Sequence, residues 1–180
     1  PARPFVPPSP AMTQVSTVHH YPGSCLIEGT TLSEGRGTAL PFEIIGAPYI
    51  DDFVLADHLN THGLDGATAR PYQFEPSASK HSGDRRGGVQ IPLTDTETFR
   101  PITVWLEVIR AIHTLYPSDF GWLPQQYNGL QHFDRLVGSE AVRTQIDNGA
   151  SVADITASWT DYHETSREQR RPYLLYGEEN

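Results

Sequence analysis

The chain has 180 residues and a mass of 20.0 kDa, and 37% of its residues are hydrophobic. This is enough for one domain with a buried core and too little for two ordinary domains. The net charge of −9 argues against a nucleic-acid partner, since such proteins gain affinity from clustered Lys and Arg. A single cysteine, Cys25, excludes an intramolecular disulfide, and no apolar run reaches the roughly 18 residues of a membrane span.

The N-terminal stretch PARPFVPPSP contains five prolines, which fix φ and remove backbone donors. We therefore predict a Pro-rich extended arm or linker over residues 1–24, with a turn and a strand between Val15 and Ile27, around YPG. Residues 25–176 are assigned to a single domain. The last four residues, 177–180, are set apart as a tail that resembles the start of a cleavage-site tag.

Strand and helix patterns alternate in the first half of the domain. PFEIIGAPYI predicts a buried strand, and DDFVLADHLNTHG predicts a helix that ends at Gly63. The buried side of this helix is predicted to consist of Phe53, Leu55, Ala56 and Leu59. ATARPYQFEPS and GGVQIPLTD predict two further strands, separated by the polar loop SASKHSGDRRGG.

Helical patterns dominate the second half. The clearest spans Phe99 to Tyr116, with apolar residues at helical spacing, namely Ile102, Trp105, Ile109, Ile112 and Tyr116. A second helix is predicted from Ser139 to Asp147. A third starts at Ser151, continues to Pro172 and has an apolar face of Val152, Ile155, Trp159 and Tyr162. The fold class is therefore α+β, a small mixed sheet in the first half packed by about four helices, mostly in the second half.

The stretch EGTTLSEGRGT, residues 28–38, concentrates groups that bind ligands. Its glycines let the backbone approach a ligand or a second segment closely. Around them lie donors and acceptors suited to a polyhydroxylated or anionic ligand: Glu28, Thr30, Thr31, Ser33, Glu34, Arg36 and Thr38. The spacing excludes a phosphate-binding P-loop. A surface turn with self-satisfied hydroxyls explains the same residues equally well.

Carboxylates are the first candidates for catalysis. Glu28, Glu34 and Glu43 could act as general acid or base in glycoside hydrolysis, which needs two carboxyls flanking the bond, although spacing alone identifies no pair. His58 and His62 share one helix face, but no third metal ligand accompanies them, which favours ordinary exposed histidines.

Two weaker candidates are cationic or thiol groups. The SKHSGDRRGG loop, which includes Lys80, Arg85 and Arg86, is either an anion site or a solvated hairpin. Cys25 follows His19 and His20 and invites a thiol-nucleophile hypothesis, although lone cysteines are usually inert.

Several longer motifs resemble one known family. These are VPPSPAM, YPGSCLIEGTTLSEGRGTALPFEIIGAP, SKHSGDRRGGVQIPLTD, FRP and RRPYLLY. Together they are similar to the C-terminal part of NamZ-type exo-β-N-acetylmuramidases, over nearly the whole chain. The resemblance implies a two-part enzyme, in which a Rossmann-like N-terminal domain holds the principal catalytic carboxylate and the C-terminal domain closes the cleft.

The implied activity is hydrolysis of terminal β-linked N-acetylmuramic acid from peptidoglycan fragments, by a bacterial protein that is periplasmic or secreted. No cofactor or metal is expected. Partners would be the N-terminal domain and a muropeptide. The resemblance places the loop at the interdomain cleft, with Glu28, Thr30, Ser33, Glu34, Arg36, Thr38 and Lys80 as substrate contacts and Glu28 as a candidate catalytic contributor.

Within this resemblance, Arg36 would pair with the lactyl carboxylate of the muramic acid or would orient a catalytic carboxylate. Two other functions stay open. The chain could be a noncatalytic module that binds muramyl glycans or assembles with another chain. It could also be the structural half of a split enzyme with a separate N-terminal partner.

Overall fold

The computed structural model describes residues 4–124 and 129–176. The tail assigned to residues 177–180 therefore lies outside the described residues. In chain order the elements are α1 (Val15–Ser24), a 3-10 turn (Cys25–Gly29), β1 (Ile44–Ala47), α2 (Asp52–His62), β2 (Arg70–Phe74), β3 (Arg86–Gln90), α3 (Pro101–Leu115), α4 (His132–Val137), α5 (Ala141–Asp147), α6 (Val152–Ala157), α7 (Thr160–Arg170) and a second 3-10 turn (Arg171–Tyr173). The predicted α+β class is confirmed.

The sheet has three antiparallel strands in the order β1-β3-β2, so the last strand in the sequence is the central one. Gly88 of β3 pairs with Gly46 on one side and with Tyr72 on the other. A Cβ atom on Gly88 would lie 1.9 Å from the carbonyl oxygen of Ile45. Glycine at this position therefore permits the close approach of β1 to β3.

Helix α3 lies at the centre of the core, as its pattern predicts. Trp105, Ile109 and Ile112 are fully buried in the main hydrophobic cluster. Ile102 departs from the prediction, because its side chain is 42% exposed at the first turn of the helix. The sequence pattern thus identifies the helix correctly, but it predicts Ile102 to be buried although this side chain is partly exposed.

Helix α2 begins after Asp51, whose carboxylate caps it by accepting hydrogen bonds from the amides of Phe53 and Val54. Leu55 and Leu59 are buried as predicted, but Phe53 is 69% exposed. At 100° per residue, Phe53 points about 120° away from Leu59 and about 160° away from Leu55, so it lies at least about a third of a turn from the buried face. Its assignment to the buried side is therefore wrong.

The strand predicted between Val15 and Ile27 is wrong, since Val15–Ser24 forms helix α1 within the range assigned to the extended arm. Pro22 lies in its last turn, where a missing N–H removes only one helical hydrogen bond. The helix packs closely against the start of α3. A Cβ atom on Gly23 would lie 2.1 Å from the carbonyl oxygen of Pro101. Packing against α3 thus stabilises a helix where the local YPG sequence predicts a turn.

The final predicted helix is divided in two. Helix α6 begins after Ser151, whose hydroxyl accepts a hydrogen bond from the amide of Asp154, as the capping motif predicts. Helix α6 ends at Ala157 and α7 starts at Thr160. Tyr162, which was expected on the apolar face, is 74% exposed as a result.

Candidate functional site

Two loops meet at the centre of the candidate site. We call residues 28–38 the glycine loop and residues 75–85 the lysine loop. They are joined at Gly37, whose carbonyl oxygen accepts hydrogen bonds from both the amide (3.0 Å) and the hydroxyl (2.8 Å) of Ser77. Gly37 has a φ of +80°, a conformation that favours glycine, and a Cβ atom on it would lie only 2.4 Å from the amide nitrogen of Ala78.

Lys80 enters the glycine loop from the facing loop. Its ammonium donates to the carbonyl oxygens of Ile27 (3.1 Å), Thr30 (2.9 Å) and Leu32 (2.8 Å). It also forms an ion pair with Glu34 at 3.2 Å. Burial lowers the pKa of Lys80, and the neighbouring Glu34 carboxylate opposes that shift. The ammonium thus holds the curved backbone of the glycine loop in place.

Glu34 is the buried anion of the site, with a side chain only 2% exposed. Besides Lys80 it contacts the Arg36 guanidinium, with 3.4 Å between Oε1 and Nε, and accepts a hydrogen bond from the Ser79 hydroxyl at 3.2 Å. A buried carboxylate requires such partners, because an unpaired charge is costly away from water. Glu34 therefore ties the two loops together.

Arg36 and Glu28 form the accessible end of this charge chain. Both Nε and Nη2 of Arg36 donate to Oε1 of Glu28, at 3.0 and 2.6 Å. Their side chains are 38% and 24% exposed. The guanidinium also lies over the ring of Phe42, 4.8 Å from its centroid. The pair is thus oriented from the protein side and still reachable from solvent.

The hydroxyls predicted as substrate contacts bond within their own loop. The Thr30 hydroxyl donates to the carbonyl oxygen of Ile27 at 2.8 Å, and the Thr38 hydroxyl donates to that of Gly35 at 2.6 Å. Ser33 is buried, and its hydroxyl accepts a hydrogen bond from the amide of Gly35 at 3.3 Å. Thr30 is buried as well, whereas Thr38 is half-buried. The turn alternative from the sequence describes these three residues well.

A third segment, residues 121–123, completes the site and was missed by the sequence analysis. The amide of Thr31 donates to the carbonyl oxygen of Gly121 at 2.8 Å, and the amide of Leu123 donates to that of Gly29 at 2.9 Å. His81 of the lysine loop contacts the carbonyl oxygen of Thr31 through Nε2 at 2.7 Å. No local pattern in the sequence links residues 90 positions apart in this way.

Glu43 lies apart from this charge chain in its contacts. Its Oε1 accepts hydrogen bonds from the side chains of Gln14 (2.7 Å), Ser16 (2.9 Å) and Thr17 (2.6 Å). The carboxylate is 5% exposed and anchors the start of α1. Its chemistry in the structure is therefore that of an anchor for this helix.

The remaining cationic and thiol candidates also have internal roles. Arg86 is buried and donates to the carbonyl oxygens of His81 and Asp84, which shapes the lysine loop. Burial raises the pKa of the Cys25 thiol, which disfavours the thiolate that a nucleophile requires.

Helix α2 carries the histidine pair that the sequence singled out. The rings of His58 and His62 lie with their centroids 4.4 Å apart, and Nδ1 of His62 contacts the carbonyl oxygen of His58 at 2.8 Å. Within residues 4–124 and 129–176, no group of three or more His, Cys, Asp and Glu side chains could hold a metal ion.

A family model described as the C-terminal region of exo-beta-N-acetylmuramidase NamZ matches residues 19–176. The chain belongs to this family. The match includes the glycine loop, the lysine loop and residues 121–123. The three segments that meet at the candidate site are therefore all parts of the family domain.

The chain is similar to a curated relative and to two proteins of known structure. The chain is 44% identical over 173 residues to the peptidoglycan beta-N-acetylmuramidase NamZ of Bacillus subtilis strain 168, which covers 96% of this chain and 41% of the relative. Two DUF1343 family proteins of Bacteroides fragilis match 96% of the chain with TM-scores of 0.84 and 0.69, at 24% and 29% identity. The chain covers 45% and 44% of those proteins, and so spans less than half of each relative.

Among the described residues no helix is both long enough and apolar enough to cross a membrane. Leu32 of the glycine loop belongs to the main hydrophobic cluster, and Trp122 of the third segment packs against it.

Proposed function

We propose that this chain is the C-terminal part of a peptidoglycan exo-β-N-acetylmuramidase. In this proposal the glycine loop completes a substrate cleft whose principal catalytic carboxylate belongs to an upstream Rossmann-like domain. The substrate is a muropeptide or peptidoglycan fragment with a terminal N-acetylmuramic acid. Because peptidoglycan lies outside the cytoplasm, we place the complete protein in the periplasm or among secreted proteins. The 44% identity to a peptidoglycan β-N-acetylmuramidase supports the reaction class.

The single observation that carries the role of this chain is the partly exposed Glu28–Arg36 pair, which lies on a loop whose inner side is bound by buried charges. Lys80 and Glu34 fix the loop backbone and the Arg36 side chain from the protein interior. The conformational entropy of these groups is therefore lost when the chain folds, and binding of a ligand does not have to order them again. A preorganised carboxylate and guanidinium are suited to a sugar that carries both hydroxyls and a carboxylate.

The geometry favours one of the two roles considered for Arg36. Two of its nitrogens already bind Oε1 of Glu28, so the guanidinium orients that carboxylate before any ligand arrives. Glu28 then accepts hydrogen bonds from sugar hydroxyls, or assists the upstream carboxylate across the glycosidic bond. An approaching lactyl carboxylate would have to share the guanidinium with Glu28.

The proposal is tested with the complete protein and a chromogenic β-glycoside of N-acetylmuramic acid. Arg36→Ala should lower kcat/KM by roughly 30-fold, corresponding to the loss of a charge-assisted contact of about 2 kcal/mol. Arg85→Ala is the matched control, since Arg85 is exposed and donates to Gln73 on the neighbouring strand. If kcat/KM of Arg36→Ala were unchanged, the glycine loop would not line the substrate cleft and the proposal would be wrong. Binding of muropeptides without turnover by the complete protein would support the noncatalytic alternative.

A further inference from the structure

The C-terminal part of the described chain projects its apolar side chains into solvent. None of the residues of α7, all of which the structure describes, is buried. Beyond it, Tyr173, Leu175 and Tyr176 are 84%, 92% and 86% exposed. We call residues 160–176 the C-terminal arm. Clustered exposed apolar side chains are typical of surfaces that bind another protein surface.

The intrinsic stability of a short helix does not explain why the arm is helical at α7. Isolated helices shorter than about 12 to 15 residues are marginal in water, and most helical stability in proteins comes from packing an apolar face. Helix α7 has 11 residues and buries none of them. Because the residues of α7 are mostly polar, a partner would cover mainly Tyr162 and the apolar residues beyond the helix, Tyr173, Leu175 and Tyr176.

An open apolar cavity lies beside the start of the arm. It has a volume of about 490 Å³ and lies between α7 and the helices of the core. Its lining includes Leu26, Ile102 and Val142 on the core side and Trp159 and Tyr162 at the start of α7. The same region therefore presents both protruding and recessed apolar surface.

We propose that the C-terminal arm and this cavity dock against the upstream region of the complete protein. The family match extends to residue 176, so the exposed apolar residues belong to the family domain. The relatives carry more than half of their length outside the matched region, which provides a partner surface within the same polypeptide. The proposal rests on the proposed function only in taking this upstream region as the partner.

The test measures how fast a maleimide labels single cysteines in the complete protein, after Cys25 and every cysteine of the upstream region have been replaced by Ser. Leu175→Cys reports on the arm, and Tyr176→Cys reports on it independently if the first variant fails to fold. Phe53→Cys is the matched control, because Phe53 is also apolar and is 69% exposed on α2. The arm cysteines should react at least about tenfold more slowly than the control, since a docked side chain is reached only through local opening.

Denaturation should bring the labelling rates of the three variants together. Equal rates in the native protein would overturn the proposal. Protection that disappears on dilution, in step with dissociation of a dimer, would identify a second copy as the occupant and would overturn it as well. Labelling needs no substrate, so failure of this proposal is distinguishable from failure of the muramidase assignment.

Discussion

His20 is a buried base whose neutral form is required by the core. Its Nδ1 accepts a hydrogen bond from the Trp105 indole at 3.2 Å, and its ring packs edge-on against Phe99 and Trp105. Burial lowers the pKa of His20 from 6.5 to about 4, an effect that the Glu43 carboxylate partly opposes. Between these two values the unfolded chain binds a proton that the folded chain does not.

The stabilisation from His20 is therefore complete above pH 6.5 and is lost as the pH falls towards 4. Between pH 7 and 4.5 this one group should remove about 2 to 3 kcal/mol from the free energy of unfolding. In His20→Gln the free energy of unfolding should not show this decrease between the two pH values. In His19→Gln, where the substituted residue is exposed, the decrease should remain. Urea denaturation of the two variants at pH 7 and pH 4.5 measures these free energies. An unchanged pH dependence in His20→Gln would contradict the linkage.

Lys80 is the only lysine of the chain, and its contacts explain its position. Lys80→Met keeps the side-chain length and removes the charge. The carbonyl oxygens of the glycine loop then lose their cation, and the buried Glu34 carboxylate keeps only its contact with Arg36 among its two ion pairs. We expect a loss of stability on the order of 3 kcal/mol, as for other broken buried pairs. The measurement is the urea midpoint at constant m value, with the exposed Arg85→Met as control. A midpoint equal to that of the control would show that the loop needs no cation.

At the level of elements, Glu43 decides where α1 lies. Its carboxylate accepts three hydrogen bonds from residues at the start of the helix, and α1 in turn packs on α3. This contact joins residues 26 to 29 positions apart, so neither segment by itself predicts it. Without the anchor, the side-chain donors of Gln14, Ser16 and Thr17 would lose their shared acceptor.

Glu43→Ala should therefore loosen α1 while leaving the sheet in place. We expect amide hydrogen exchange in residues 15–24 to accelerate roughly 30-fold, which corresponds to about 2 kcal/mol of lost charge-assisted hydrogen bonding. Glu97→Ala removes an exposed carboxylate and should leave exchange in α1 unchanged. Equal protection of α1 in both variants would contradict the anchoring role.

The element predictions from sequence succeed where periodicity is long and one-sided. Helix α3 is of this kind, and its position is confirmed. The three strands have four or five residues each and lie at the predicted positions, where short apolar runs are bounded by Gly and Pro. The predictions fail at α1, where the YPG signal is overridden by packing on α3, and after Ser158, where one predicted helix becomes two. Helix α4 has six residues, too few for a periodic pattern to distinguish it.

For the whole molecule, the positions of the carboxylates determine what the chain can do alone. Glu34 and Glu43 are 2% and 5% exposed and already bound to internal donors, which leaves Glu28 as the accessible member of the three candidates. One reachable carboxylate does not form the pair that glycoside hydrolysis requires. Catalysis should therefore depend on the upstream region.

We accordingly expect this chain alone to release no chromophore from an N-acetylmuramic acid β-glycoside, and expect release when it is mixed with the upstream region. Both are measured in one absorbance assay, with the upstream region alone as control. Release by the isolated chain would place a sufficient catalytic pair among Glu28, Glu34 and Glu43. If the upstream region alone hydrolysed the substrate at the full rate, the glycine loop would not be required for catalysis and the prediction would be wrong.

The α+β class, the main helix, the strands and the family motifs can be predicted from the sequence, because hydrophobic periodicity and unbroken motif strings are local properties. The glycine loop can be recognised from the sequence for the same reason. Which polar residues of that loop remain accessible to a ligand depends on how the folded chain packs around them. Lys80, Glu34 and the loop hydroxyls are engaged inside the protein, while Glu28 and Arg36 face solvent. This division depends on contacts among distant segments, some of them 90 or more positions apart, which chain folding brings together and local composition does not encode.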